Sequence, residues 1–312
     1  MVYRDLEIAR DVQRASFPEQ PPVIPGLSVA SFYQPALCVG GDYYDFLPFR
    51  DGAWGIAIGD VCGKGIAAAL VMANLQGSLR AQTWQPRSDL ERLMANVNRL
   101  VCESSPQHFF ASLFYAEYQP QSRVFRYVNA GHNPPIVLRR NHNRCALLPL
   151  TAEYAPMGLI EDCPFTSTTL QLEIGDVLVA YTDGLTESEN SEGTAFGYKR
   201  LESMLAGCCS QDPHHVLQLI LDELSAHSAD CPQADDITVV VMQVEAPAGG
   251  SENTISGFGQ PEPPPDQVLY RTIASFRSKA TRREYFRLLA APLVSSAFPA
   301  ILVGEDPCGA QA

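Results

Sequence analysis

The sequence predicts an α+β fold with largely antiparallel sheets. Short β-like runs cluster with other β-like runs and helical patterns with helical patterns, and the βα alternation of a doubly wound fold is missing. Size agrees: 312 residues, 46% hydrophobic and 18% charged, suffice for one large domain or two modest ones with a sizeable core.

The elements follow in order. Leu6, Ile8, Ala9, Val12 and Ala15 give an amphipathic helix over residues 5–16, which the proline-rich stretch from Pro18 to Pro25 ends. A helix starting so near Met1 reads as the tail of a connector to an upstream element or a partner chain. β-like runs cover 27–33, 43–48 and 54–58, and two Ala- and Leu-containing helices cover 65–82 and 88–102. A second block of strands spans 111–118, 124–129, 136–139, 166–172 and 177–181, followed by helices at 197–206 and 213–227 and a last strand at 237–244. Residues 246–267 then read as a flexible Pro- and Gly-rich linker. In the tail, 268–312, Arg271, Arg277, Lys279, Arg282, Arg283 and Arg287 stand among apolar residues. That stretch reads as a basic helix docking on the acidic domain or a partner, and equally as a weakly ordered tail.

Charge narrows the function. A formal net charge of −13 repels nucleic acid and gathers divalent cations near any acidic cleft. No apolar run is long enough to span a bilayer, and no h-region follows the mixed charges of residues 1–10. The expectation is a cytoplasmic protein with no nucleic-acid and no membrane partner. The nine cysteines are scattered, odd in number and without a CxxC pair, so they read as buried free thiols.

Four blocks carry carboxylates. In VGGDYYDF (39–46) two glycines allow a sharp turn, and Asp42 and Asp45 are three apart, so only one need face a cleft. In IAIGDVCGKG (56–65) an apolar strand ends at Asp60, and the glycines let the main chain approach a ligand, making the Val61 carbonyl a second candidate. The spacing is not GxGxxG, and the lysine lacks the Ser or Thr of a phosphate-binding loop. GDVLVAYTDGLTE (175–187) sends another apolar strand into Asp183, and ADDITVVV (234–241) sets Asp235 and Asp236 before a third. Any one of these suits a simple turn; four of them, each joined to a buried strand, point to a shared cleft. Clustered carboxylates repel, and Mg²⁺ or Mn²⁺ relieves that repulsion while keeping several waters. Two such ions together can acidify a water and hold a phosphoryl group for in-line attack. No GxSxG elbow, and no Cys followed by Arg in a phosphate-loop pattern, supplies a rival nucleophile.

The ordered set VGGDYYDF, GDVCGKG, FFASLFYAEY, YVNAGHNPP, GDVLVAYTDGLTE and ADDITVVV resembles the SpoIIE/RsbU branch of the PPM phosphatases, over about residues 6–244. The resemblance implies an αββα sandwich, two antiparallel sheets flanked by helices, with a phosphatase domain at 26–245 behind an N-terminal helical connector and Pro-rich turn at 1–25. It implies a metal-dependent protein serine/threonine phosphatase acting on a phosphorylated regulatory protein, typically a STAS-type anti-sigma-factor antagonist. Two Mn²⁺ or Mg²⁺ ions would be bridged by Asp60, with the Val61 carbonyl on one ion and Asp183 and Asp235 on the other; Asp60 and Asp183 are the catalytic pair. From the first block Asp45 is preferred and Asp42 second, and Asp236 supports the shell, although the adjacent aspartates leave that assignment open. The connector implies an upstream sensor or activator on another chain and a homodimer through a helical pair. The competing class is a non-catalytic phosphoprotein-binding module on the same fold.

Other residues have plainer readings beside functional ones. His132 could protonate a leaving seryl oxygen, but a turn brace is the better reading. Lys64 could attract phosphate or lie solvated at a helix start. Cys62 stands where this branch frequently has Ser, with no loss of activity expected, and His214 and His215 read as surface residues.

Overall fold

A computed structural model describes residues 2–246, apart from Gln85, Pro86, Ser88, Gln107, Asn143, Ser210 and Asp230. Beyond Ala246 the expected linker and tail lie outside the described residues.

One sheet has the order β1 (Leu27–Gln34), β10 (Ile237–Val244), β9 (Val177–Tyr181), β6 (Ile136–Asn141) and β7 (Arg144–Pro149). The other runs β2 (Tyr43–Pro48), β3 (Trp54–Val61), β4 (Ala111–Gln119), β5 (Val124–Ala130) and β8 (Thr168–Gln171). Every pairing between these strands is antiparallel. Period-two patterning explains the layering. On β9 and β10, Leu178, Ala180, Val240 and Met242 join the core shared with the second sheet, while Val177, Val179, Val239 and Val241 turn to the opposite face. That opposite face is covered by α5 (Tyr198–Leu205) and α6 (Pro213–His227), through Leu201, Leu205, Val216 and Ile220.

On the far side, α2 (Ile66–Gln82) buries Ala68, Val71, Met72, Leu75 and Leu79, and α3 (Leu90–Ser104) buries Leu90, Leu93, Met94, Val97 and Val101. Both sets repeat at helical spacing against the second sheet. The result is the αββα sandwich. At the start of α6, Pro213 takes the first position, and the Asp212 carboxylate accepts the N–H groups of His214 at 2.9 Å and His215 at 3.3 Å. Both histidines are exposed, as expected. Among the described residues no helix is long and apolar enough to cross a membrane.

The N-terminal helix α1 (Val2–Ser16) is anchored by its last turn. The Gln13 amide donates to the Gly40 carbonyl at 2.7 Å and accepts the Gly40 N–H at 3.0 Å. The Ser16 carbonyl takes N–H groups from Gln76 and Arg80 of α2, and Phe17 stacks on Tyr33 at 4.3 Å.

Two elements escaped the sequence pattern, β7 and the short α4 (Asp183–Thr186). β7 is a half-buried edge strand ending in proline, so it lacks clean alternation. It also carries the main correction. Cys145 of β7 and Cys209 form a disulfide, Cα to Cα 5.6 Å across 64 residues of sequence, where free thiols were expected. Among the described free cysteines Cys208 is buried, Cys38 is exposed and the others are half-buried. Spacing could not reveal the pair, because it exists only once β7 folds beside the segment after α5.

In chain-entropy terms a loop of this length is worth about 4 kcal/mol. Cys145→Ser is therefore expected to lower the unfolding free energy in non-reducing urea titrations by about 2–4 kcal/mol. An unchanged midpoint would show that packing alone fastens β7.

Candidate active site

The four carboxylate blocks converge where the ends of the two sheets meet. Asp60 lies near the end of β3, opposite Ser112 of β4. Asp42 sits just before β2, only 1% exposed, and accepts hydroxyl hydrogen bonds from Thr182 at 2.8 Å and Thr238 at 2.6 Å. Those hydroxyls belong to the ends of β9 and β10, and the Thr238 N–H donates to Thr182 Oγ1 at 3.0 Å, so the first block is stitched to the other sheet. Asp183 opens α4 directly after β9, and Asp235 stands just before β10.

Their electrostatics are strained. Burial, then the charge of Asp60, pushes Asp42 well above the usual carboxylate range, against the pull of the two threonine hydroxyls. Burial also raises Asp60, followed by the charges of Asp183, Asp235 and Asp236; a hydrogen bond with Asp42 opposes them. Asp183 is raised by burial, Glu187 and Asp235, and drawn back by the Gly184 N–H and Lys64.

The two aspartates of the first block have different surroundings. The Asp45 carboxylate points away from the cluster, where Arg80 of α2 pairs with it at 2.6 Å, the Tyr43 hydroxyl donates at 3.1 Å and the Phe46 N–H at 2.9 Å. It anchors α2 to β2. The aspartate pair also divides. Asp236 is buried and takes the N–H groups of Ala36 at 2.7 Å and Gly41 at 2.6 Å, whereas Asp235 faces Lys64 Nζ at 2.8 Å. Close approach explains two glycines: a Cβ at Gly40 would fall 2.3 Å from the Asp236 carboxylate, and one at Gly184 would fall 2.0 Å from its main-chain oxygen.

Val61 is buried beside Asp60, and its N–H donates to the Gly41 carbonyl at 3.3 Å. The Cys62 thiol donates to the His108 carbonyl at 3.5 Å and accepts the Phe110 N–H at 3.3 Å. Lys64 is ion-paired rather than freely solvated. His132 is 3% exposed; its Nδ1 bonds to Ser112 Oγ at 2.8 Å, its N–H donates to Asn129 Oδ1 at 2.8 Å, and Nε2 faces Tyr181 without closing a hydrogen bond. Burial lowers its pKa to about 3, so the ring is a neutral brace against Ser112. Sequence reasoning missed Thr182 and Thr238. Their only signal was position, one residue before Asp183 and two after Asp236.

The donors are all oxygen, which suits a hard divalent cation, and such a charge would return the raised carboxyls to carboxylates. Among the described residues no three His, Cys, Asp or Glu side chains already close into a cage.

The His132 geometry fixes a pH dependence. A histidine kept neutral in the folded state, with a pKa of about 3, favours folding above the unfolded value of about 6.5 and loses that contribution as pH falls between the two. Urea titrations from pH 7 to 4.5 should show wild type losing more stability than His132→Gln, by up to about 1.4 kcal/mol per pH unit. Parallel slopes would mean that the ring takes up a proton without unfolding.

Comparison with known proteins identifies the family. The family model described as Stage II sporulation protein E (SpoIIE) matches residues 50–245, a segment that starts after Asp42 and Asp45. Phosphoserine phosphatase RsbU of Bacillus subtilis is 28% identical over 241 residues, covering 77% of this chain and 70% of RsbU. Protein IcfG of Synechocystis sp. is 26% identical over 264 residues, covering 76% of this chain but 41% of IcfG. The crystal structure of the RsbU and RsbW domains of Rv1364c from Mycobacterium tuberculosis matches with a TM-score of 0.63 at 26% identity, covering 75% of this chain and 64% of that one. The chain thus spans well under half the length of IcfG and about two thirds of the other two. Since the family match takes in more than half of its residues, the chain belongs to the SpoIIE family, in the RsbU branch of the PPM-type phosphatases.

Proposed function

We propose that this chain is a metal-dependent protein serine/threonine phosphatase that dephosphorylates a regulatory protein. One observation carries the reading: four separate segments bring Asp42, Asp60, Asp183 and Asp235 to one end of the sandwich, where burial and mutual repulsion hold three of them above the ordinary carboxylate range. Those four carboxylates and the Val61 carbonyl would hold two Mn²⁺ or Mg²⁺ ions. Bound there, the ions supply Lewis acidity and a water of lowered pKa for attack on phosphorus.

The chain's own residues do the positioning. Thr182 and Thr238 orient Asp42, and Asp236 fixes the loop that presents it. Lys64, on the rim beside Asp235, supplies positive charge where a phosphate dianion would approach. His132 keeps Ser112 in place and, staying neutral, offers no imidazolium proton near pH 7. The kinship with RsbU, a phosphoserine phosphatase by name, supports phosphoserine as the substrate group. The resemblance noted in the sequence supports a STAS-type antagonist as the phosphorylated partner, a cytoplasmic setting, and an activator on another chain acting through α1, with a homodimer as one form of that input.

Hydrolysis of p-nitrophenyl phosphate and of a phosphoserine protein, in Mn²⁺, Mg²⁺ or EDTA, tests the reading. EDTA should abolish turnover, and Asp183→Ala and Asp42→Asn should each lower kcat by about a hundredfold or more. Asp45→Asn should keep kcat within about threefold while lowering stability, because its partner is Arg80 rather than the cluster. Near-normal kcat in a folded Asp183→Ala protein would remove Asp183 from the site. A folded wild-type protein inactive with either metal would replace the enzyme by a phosphoprotein-binding module.

A further inference from the structure

A groove of about 390 Å³ opens beside the carboxylate cluster and has no part in the chemistry above. Its apolar lining comes from Phe32 of β1, Leu221 and Leu224 of α6 and Ile237 of β10, and serine, glutamine and glutamate side chains line much of the rest. Two of its walls continue directly into the site. On one side Ser188 Oγ donates to the carbonyl of Gly184, the neighbour of Asp183, at 2.6 Å, and Glu189 follows on the rim. On the other, Ala234 precedes Asp235 and its carbonyl takes the Lys64 ammonium, while Gln233 Nε2 donates to the Asp235 carbonyl at 2.7 Å. Gln233 and Ala234 are the two residues before Asp235, so the groove adjoins the cluster along the chain.

We propose that the groove receives the polypeptide flanking the phosphorylated serine, with an apolar side chain on the apolar lining and a basic side chain against Glu189. The proposal rests on the phosphatase reading and names the sequence context that the site selects. Size and chemistry both favour this occupant. The volume suits a few side chains, and a lining part apolar and part polar suits a short peptide stretch. Charge sets the polarity of the flank: Glu189 is exposed and makes no ion pair among the described residues, in a chain of net charge −13. A basic neighbour is attracted there and an acidic one repelled.

The test uses the full chain with Mn²⁺ and three substrates: p-nitrophenyl phosphate, a phosphoserine peptide with Leu and Arg within three residues of the phosphoserine, and a matched peptide with Gly and Glu instead. Wild type should favour the Leu–Arg peptide by about tenfold in kcat/KM. Ser225→Trp, at an exposed α6 position lining the groove, should erase the preference for Leu. Glu189→Arg should erase or invert the preference for Arg, and neither variant should change p-nitrophenyl phosphate turnover beyond about twofold. Intact turnover of the small ester with no peptide preference in wild type overturns the proposal. So do variants that slow all three substrates alike. A wild-type protein with no metal-dependent turnover of the small ester removes the phosphatase reading, and this inference with it.

Discussion

The Asp236 carboxylate accepts the N–H groups of Ala36 and Gly41 while its main-chain oxygen lies against Gly184, so one buried residue joins the loop before β2, the start of α4 and the head of β10. Three of the four segments that supply the site meet at this point. The fourth, the end of β3, is drawn in by the Val61 N–H on the Gly41 carbonyl. Asp42, next in sequence to Gly41, is thereby held at a fixed distance from Asp60 and under the hydroxyls of Thr182 and Thr238. One buried carboxylate, hydrogen-bonded to the loop before β2, sets the geometry.

That geometry works against local stability. Carboxyls buried beside one another favour their protonated forms, and each ionised group raises the next. The sandwich tolerates this because residues 177–181 of β9 and 239–242 of β10 are apolar on both faces and pack into two separate cores. Local frustration of this kind is expected where a fold serves a ligand rather than itself.

Much of this was legible in the sequence, and the limits have physical causes. An apolar strand running into Asp60 or Asp183 identifies both the strand and the residue at its mouth, and the structure puts both in the cluster. The different surroundings of Asp42 and Asp45 depend on a partner that sequence does not display: Arg80, on a helix 35 positions away, pairs with Asp45. Asp235 and Asp236 differ because the loop at 36–41 folds against Asp236. Beyond their places near Asp183 and Asp236, nothing in the sequence shows what the hydroxyls of Thr182 and Thr238 bond, because Asp42 comes from the other sheet. The helix at 5–16 was foreseen, but not that its Gln13 side chain would pair with the backbone of Gly40.

The Cys145–Cys209 bond has a consequence for colloidal behaviour. β7 is the outermost strand of its sheet, pairing on one side only, with β6. An edge strand holding Ala146, Leu147 and Leu148 is a template onto which another chain can add. The covalent clasp to the segment after α5 keeps that edge from peeling outward, and Arg140 reinforces it by donating to the Cys209 carbonyl at 3.2 Å. Reduction would therefore free a sticky border on the side of the sheet away from β1, leaving the carboxylate cluster intact while making the protein more prone to self-association.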